Sequence, residues 1–160
     1  MNRSNAQNAA SALTAPGGNP VDSVLERLGR IPHSMIALIA RIGIAAVFFE
    51  SARTKVSGMT VTDNTFFLFK EEYKVPLLPP ELAAYMAAYA EHLFPLMLVL
   101  GLGARLGAAG LLAMTLVIQI FVYPSAWETH TVWAASLIYI IARGPGALSL
   151  DHLIRNRARG

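Results

Sequence analysis

The amino-acid sequence predicts an all-α polytopic membrane protein, a bundle of four transmembrane helices with short interfacial helices. Of the 160 residues, 54% are hydrophobic and only 14% are charged, whereas an ordinary soluble domain carries about 25% charged residues. Four apolar stretches carry few charges, and about 20 residues of helix cross a hydrocarbon core of about 30 Å. This composition argues against a soluble enzyme.

The chain before residue 31 is predicted to be a disordered cytoplasmic tail. It is rich in Asn, Ala, Ser, Gly and Pro without sustained apolar periodicity, and such a composition does not offset the entropy lost on ordering. A signal peptide is not expected, because a long polar stretch precedes the first apolar run and no small-residue cleavage site follows it. Residues 31–156 are predicted to form one membrane domain.

The four predicted spans follow one another within this domain. They run from Pro32 to Ala52, from Glu81 to Leu102, from Arg105 to Tyr123 and from Trp127 to Ala142. Proline suits the first turn of a helix and ends a helix that reaches it from the N-terminal side. Pro32 therefore begins the first span, Pro124 ends the third, and Gly144-Pro145-Gly146 ends the fourth.

Two further segments are predicted to lie outside the spans. Between the first two spans, Phe66, Phe69 and Tyr73 share one helical face beside charged residues, a pattern typical of an interfacial helix. A loop packed over the end of the bundle is the alternative, and the sequence leaves both open. Residues 149–160 combine Leu and Ile with arginines, which predicts an interfacial helix beside anionic headgroups.

The basic residues predict that both termini are cytoplasmic. With four spans, one side of the membrane carries Arg3, Arg27, Arg30, Arg105, Arg143, Arg155, Arg157 and Arg159. The other side carries only Arg53, Lys55, Lys70 and Lys74. Because positive residues favour the cytoplasm, the first side is assigned inward. The outer boundary is expected at Tyr123, Trp127 and Trp133.

Arg41 is the most informative polar residue, because a charge in the middle of a span costs about 3 kcal/mol and needs a partner. Counted at about 1.5 Å per residue from the ends of their spans, Arg41 and Glu91 fall at nearly the same depth. We therefore expect a buried ion pair between them. Such a pair could serve only to hold the first two spans together, or it could form part of a ligand site.

His92 and Pro95 extend this candidate polar centre. A proline removes the hydrogen bond to the carbonyl four residues earlier, here that of Glu91. A carbonyl, a carboxylate and an imidazole are therefore expected to cluster, although a histidine packed in a polar core is the more ordinary interpretation. A bis-histidine haem site is not expected, because no second histidine falls near His92.

The end of the first span carries three more charges. Glu50 and Arg53 are spaced to pair as i and i+3, and Lys55 falls near the helical face of Arg41. Snorkelling toward the interface is the expected behaviour of Arg53 and Lys55. In the third span, Gln119 is expected to make a hydrogen bond between helices.

The glycines of the third span predict close helix packing. Gly103 and Gly107 form a small-xxx-small pair, which lets two helix backbones approach each other.

The residue inventory excludes several classes of site. The chain has no cysteine, so it has no disulfide, thiolate zinc site or iron–sulfur cluster of its own. No metal site is predicted, and no phosphate loop or nucleophile motif is present. The net charge is only +3, and the arginines adjoin apolar runs, which indicates a membrane rather than nucleic acid as partner.

Several short motifs occur in a fixed order between Arg41 and Leu153. They are RIGIAAVFFESARTKV, FKEEYKVPLLPP, AEHLFPLMLVLGLGARLGA, MTLVIQIFVYPSAW and ARGPGALSLDHL. Together they resemble the DoxX family of small four-helix membrane proteins, with Ala52 where a glycine is usual. The resemblance implies a bacterial or archaeal inner-membrane protein. Some members of that family are named as subunits of thiosulfate or quinol oxidoreductase systems.

The resemblance and the polar centre together predict an accessory subunit of a respiratory or redox-defence oxidoreductase complex that binds a quinone. The candidate site residues are Arg41, Glu50, Lys55, Glu91, His92 and Gln119. The alternatives are a membrane scaffold that docks soluble enzymes through its basic termini, and a conduit for small molecules or ions. The sequence assigns no reaction, so catalysis by this chain stays open. The expected partners are the lipid bilayer and the proteins of a redox complex.

Overall fold

The structure is a computed structural model that describes residues 20–76 and 78–160. The described residues fall into two units, residues 20–32 and residues 33–160. Of the predicted disordered tail, residues 1–19 lie outside the described residues.

The first unit contains α1 (Pro20–Gly29), so the expectation of disorder was wrong for this part of the tail. Val21, Val24, Leu25 and Leu28 recur at helical spacing and form one apolar face. This face is only two to three turns long, which is too short for a sustained apolar periodicity. All four side chains are more than half exposed.

The second unit is predominantly helical. In chain order it contains α2 (His33–Lys55), β1 (Val56–Ser57), β2 (Thr60–Val61), α3 (Asp63–Leu68), α4 (Pro80–Leu100), α5 (Ala104–Val117), α6 (Trp127–Arg143) and α7 (Leu150–Arg157). π-Helical turns extend α3 over Phe69–Tyr73 and α5 over Ile118–Val122. The four predicted spans correspond to α2, α4, α5 and α6, and the predicted C-terminal helix is α7. The antiparallel β1–β2 hairpin was not expected.

Three helices of this unit, α2, α4 and α5 with its π-helical turn, are long and apolar enough to cross a membrane. α6 has 17 residues, which is about 26 Å at about 1.5 Å per residue and slightly less than a hydrocarbon core. The protein is therefore an all-α membrane protein, as the composition predicts.

The four long helices pack in a ring in the order α2, α4, α5, α6, with α6 also against α2. Their shared core is apolar and consists of Ile44, Ala45, Phe48, Leu98, Ala104, Ala108, Leu111, Leu137 and Ile140. We call the end of the bundle with the β1–β2 hairpin the hairpin end. We call the opposite end, where α2 and α5 begin and α4 and α6 finish, the junction end.

The segment between α2 and α4 folds over the hairpin end. Phe69 is buried against Ala83 and Ala84 of α4, with Phe66 and Tyr73 partly buried beside it. The predicted helical face is therefore real, but it packs on the bundle, because the aromatic side chains gain more contact there than in the interface.

α5 approaches α4 closely at Gly107. A Cβ atom on Gly107 would lie 3.3 Å from the Phe94 carbonyl oxygen and 3.3 Å from the Cβ of Met97. The close packing predicted for this glycine is therefore present. Gly103 has a different role, because it precedes α5 with φ at +58° and shapes the turn instead of a helix face.

We predict that Gly107→Leu lowers the thermal stability of the purified protein in detergent. The added side chain must push α5 away from the α4 backbone, at a cost of about 1–3 kcal/mol. Gly43→Leu is the matched control, because a Cβ atom at Gly43 meets nothing within 4 Å. Equal melting temperatures for the two variants would contradict this packing.

Candidate functional site

A cavity of about 410 Å³ lies among the helices near the hairpin end. Large apolar side chains form much of its wall, among them Phe48, Phe69, Phe94, Met114 and Trp133. The polar and charged lining residues are Ser51, Lys55, Tyr73, Glu91, Tyr123 and His130. Sites for small organic ligands are typically about 300–1,000 Å³, mainly apolar, with a few polar groups. The cavity has this size and this composition.

Lys55 and Glu91 form an ion pair in the wall of the cavity. The Lys55 Nζ atom is 2.8 Å from the Glu91 Oε2 atom, and the two side chains are only 13% and 4% exposed. Nζ also donates a hydrogen bond to the Ser51 hydroxyl at 2.9 Å. Lys55 therefore turns inward from the end of α2, which corrects the expectation that it snorkels. Glu91 provides the reason, because an unpaired carboxylate inside a span is costly.

His130 is oriented by Gln119. The Gln119 amide nitrogen donates to the Pro124 carbonyl at 2.7 Å, so the amide oxygen is the atom 2.7 Å from His130 Nδ1. With this amide orientation, Nδ1 donates, and a neutral His130 keeps Nε2 as a hydrogen-bond acceptor. The interhelical hydrogen bond predicted for Gln119 is therefore present, and it fixes a buried imidazole in the cavity wall.

Tyr73 adds a proton donor at the hairpin end. Its ring lies edge-on to that of Tyr123, with the centroids 6.0 Å apart. Burial, and after it the neighbouring Tyr123 hydroxyl, raises the pKa of Tyr73. The phenol therefore stays protonated at neutral pH and can donate a hydrogen bond.

Arg41 belongs to the other end of the bundle. Its Nη2 donates to the Leu148 carbonyl at 2.8 Å, and a Cβ atom on Gly101 would overlap its Nη1. Glu91 precedes Gly101 on α4 by about 15 Å at about 1.5 Å per residue. The predicted Arg41–Glu91 ion pair was therefore wrong. The Leu148 carbonyl at the junction end is the hydrogen-bond partner of Arg41 in place of Glu91.

Asp151 closes the junction beside Arg41. Its carboxylate accepts hydrogen bonds from the backbone N–H groups of Gly103 at 2.8 Å and Ala104 at 3.1 Å, which caps the positive N-terminus of α5. Its own N–H donates to the Gly101 carbonyl at 2.9 Å. Gly101 has φ at +66°, and a side chain there would meet Arg41 and the segment before α7, so glycine is required.

Besides Arg41 and Gln119, two more of the predicted site residues do not line the cavity. His92 Nδ1 hydrogen-bonds to the Ala88 carbonyl one turn earlier, at 2.7 Å, and its ring contacts Phe49 edge-on. The expected cluster with the Glu91 carbonyl is therefore not formed by this imidazole. Glu50 is exposed and makes no ion pair with Arg53, since the described residues place no basic group within 4.0 Å of it.

Several polar and aromatic cavity residues were not predicted as site residues, among them Ser51, Tyr73, Tyr123, His130 and Trp133. Trp133 was expected at the outer boundary, but it packs 5.4 Å from Phe48 and 5.0 Å from His130 between ring centroids. The spacing of His130 and Trp133 by three residues was the available signal, because it places both on one face of a helix.

We predict that Lys55→Met and Glu91→Leu each destabilise the protein by about 3–5 kcal/mol, because each leaves one buried charge unpaired. The double variant should recover much of this loss, since apolar residues can replace a buried pair at little cost. Thermal unfolding in detergent measures all three variants. Arg53→Met, which removes an exposed charge from the same helix end, is the control. Losses that simply add in the double variant would show that the two residues are not partners.

Comparison with known proteins gives a family for this chain. The sequence model of the DoxX family matches residues 36–124, more than half of the chain. A protein of Haemophilus influenzae described as uncharacterized is 28% identical over 131 residues, which cover 74% of this chain and 82% of that protein. No solved structure matches. The chain belongs to the DoxX family of membrane proteins.

Proposed function

We propose that this protein is an accessory subunit of a quinone-linked oxidoreductase complex and that the cavity at the hairpin end binds the quinone. One observation carries the proposal: a mainly apolar cavity of about 410 Å³ has a buried ion pair in its wall. A quinone is an apolar ring with two carbonyl acceptors, and a site for it needs apolar walls with a few donors.

The lining residues of the cavity supply hydrogen-bonding groups for both redox forms of such a ligand. The protonated phenol of Tyr73 and the ammonium of Lys55 are donors for quinone carbonyls. His130 Nε2 and the Glu91 carboxylate are acceptors for quinol hydroxyls. Phe48, Phe69 and Trp133 provide aromatic surface for the ring. The residues of the cavity therefore fit a quinone, whose own chemistry is the reversible uptake of two electrons and two protons.

The electrons would come from a partner protein. The chain has no cysteine, so it cannot hold an iron–sulfur cluster or exchange thiols. A subunit of this kind would bind and orient the quinone, and a redox enzyme docked on it would supply the reducing equivalents.

The proposal includes a multi-pass arrangement in the bacterial or archaeal inner membrane with both termini in the cytoplasm. All four long helices would cross, with the short α6 at the lower limit of length. The junction end, which carries Arg105, Arg143, Arg155, Arg157 and Arg159, would face the cytoplasm under the positive-inside rule.

The packing of the core argues against a conduit through the bundle. Along α2, Ile44, Ala45 and Phe48 lie between Arg41 and the cavity residue Ser51, and all three belong to the buried apolar core. Leu98 fills the corresponding stretch of α4 between Glu91 and Gly101. An ion or polar solute would have to cross this apolar layer, which is costly.

We predict that a short-chain benzoquinone quenches the fluorescence of Trp133 in a saturable way. The Trp127→Phe variant leaves Trp133 as the only tryptophan, since the chain contains two. In this background, Ala90→Phe should weaken quinone binding at least about tenfold, equivalent to about 1.4 kcal/mol, because Ala90 lines the cavity. Titration of the purified protein in detergent gives both affinities.

The control for this titration is Ala109→Phe, which adds the same side chain at an exposed position of α5 and should leave the affinity unchanged. Linear quenching that is identical in all variants would mean that the quinone only partitions into the detergent. In parallel, mass spectrometry of the protein purified from native membranes should find quinone together with a redox enzyme. Soluble partners without quinone would favour a scaffold.

The topology is tested with single cysteines, for which the cysteine-free chain is a clean background. Met59 in the hairpin turn is 97% exposed, so Met59→Cys should react with an impermeant thiol reagent on intact cells. Arg159→Cys, beyond α7, should react only after the cells are permeabilised. The reverse labelling pattern would contradict the proposed orientation.

A further inference from the structure

A second recess, of about 670 Å³, opens at the junction end and is lined by basic side chains. Arg105 from α5, Arg143 from the end of α6 and Arg155 from α7 contribute three guanidinium groups. His33, Asp151 and His152 also line it. These residues come from four separate helices or their ends, so the recess is a product of the tertiary fold and not of one charged segment.

The recess carries an excess of positive charge, with three guanidinium groups and one carboxylate in its lining. Within the described part of the chain, no carboxylate lies within 4.0 Å of Arg105, Arg143 or Arg155, and the two ion pairs found there lie elsewhere. Asp151 is the acidic lining residue, and both of its carboxylate oxygens accept backbone hydrogen bonds from Gly103 and Ala104. The carboxylate oxygens of Asp151 are therefore hydrogen-bonded to the α5 terminus and form no ion pair with the guanidinium groups.

His33 provides an independent indication of a missing partner. Its Nδ1 is hydrogen-bonded to the Tyr139 hydroxyl at 2.8 Å, whereas its Nε2 is buried and has no hydrogen-bond partner among the described residues. When Tyr139 donates to Nδ1, a neutral imidazole carries its proton on Nε2. His33 lines the recess, and in this tautomer its Nε2 proton has no acceptor among the described residues.

We infer that this recess binds a phosphate group, and specifically the headgroup phosphate of an anionic phospholipid. Guanidinium groups match phosphate oxygens in geometry and charge, and basic pockets between membrane helices bind lipid headgroups. Leu106 favours a phospholipid over free phosphate, because it lines the recess and is 69% exposed. An acyl chain can follow this leucine along α5 while the headgroup stays among the arginines.

This site is separate from the quinone cavity, because the two share no lining residue. The apolar core lies between them along α2 and α4. Its test therefore does not depend on the proposed function.

The test compares the thermal stability of the full-length protein in detergent with added phosphatidylglycerol or phosphatidylcholine of the same acyl chains. We expect phosphatidylglycerol to raise the melting temperature and phosphatidylcholine not to. In Arg105→Gln/Arg143→Gln, the apparent affinity for phosphatidylglycerol should fall at least about tenfold. Arg157→Gln/Arg159→Gln removes the same charge from residues that do not line the recess, and should retain the effect.

A second arm replaces the lipid with inorganic phosphate at constant ionic strength and so separates the two sources of phosphate. Stabilisation by inorganic phosphate alone, lost in the Arg105/Arg143 variant, would overturn the lipid assignment. Equal effects of both lipids, or equal losses in the two double variants, would overturn the site.

If the Arg105/Arg143 variant does not fold, native mass spectrometry of the unmodified protein tests the lipid site instead. Preferential retention of phosphatidylglycerol over phosphatidylcholine supports the site, and equal retention overturns it.

Discussion

The ion pair between Lys55 and Glu91 is the interaction on which the hairpin end of this bundle depends. Glu91 lies in the middle of α4, where an unpaired carboxylate would oppose insertion into a membrane. Lys55 is the last residue of α2, and its long side chain is what lets a residue at the helix end reach a charge well inside the bundle. Because Lys55 and Glu91 pair with each other, no unpaired charge lies beneath the hairpin and α3. These elements can therefore pack over this end of the bundle.

At the junction end, backbone groups are the hydrogen-bond partners of the charged side chains. Arg41 uses the Leu148 carbonyl, and Asp151 uses the N–H groups of Gly103 and Ala104. The chain segment after α6 therefore returns to the bundle and connects α2 to the turn between α4 and α5. Nη1 and Nε of Arg41 have no hydrogen-bond partner among the described residues. The two ends thus hold their charges independently, with the apolar core between them.

Helix positions were predictable from the sequence, and charge partners were not. Apolar run length, prolines and the Gly144-Pro145-Gly146 stop give the four long helices to within a few residues, because each of these signals is local. The partner of Glu91 is not a local property. The depth count treated side chains as lying level with their Cα atoms, whereas a lysine side chain extends several ångströms along the helix. An arginine side chain is at least as long, but the side chains of an α-helix tilt toward its N-terminus, which carries Lys55 toward Glu91 and Arg41 away from it. This direction could not be read from spacing alone.

The difference between local and tertiary signals also explains which cavity residues could be predicted from the sequence. Lys55, Glu91 and Gln119 are conspicuous because polar groups are rare in apolar helices, and all three take part in the polar contacts around the cavity. Tyr73 and His130 line the cavity from elements outside or at the edge of the predicted spans. Polar residues are common there, so their presence alone does not indicate a site. His92 is also a polar residue in an apolar helix, but its imidazole hydrogen-bonds to the Ala88 carbonyl of the same helix. Rarity therefore identifies a polar residue that needs a partner, while the fold decides whether that partner is another helix, the same helix or a ligand.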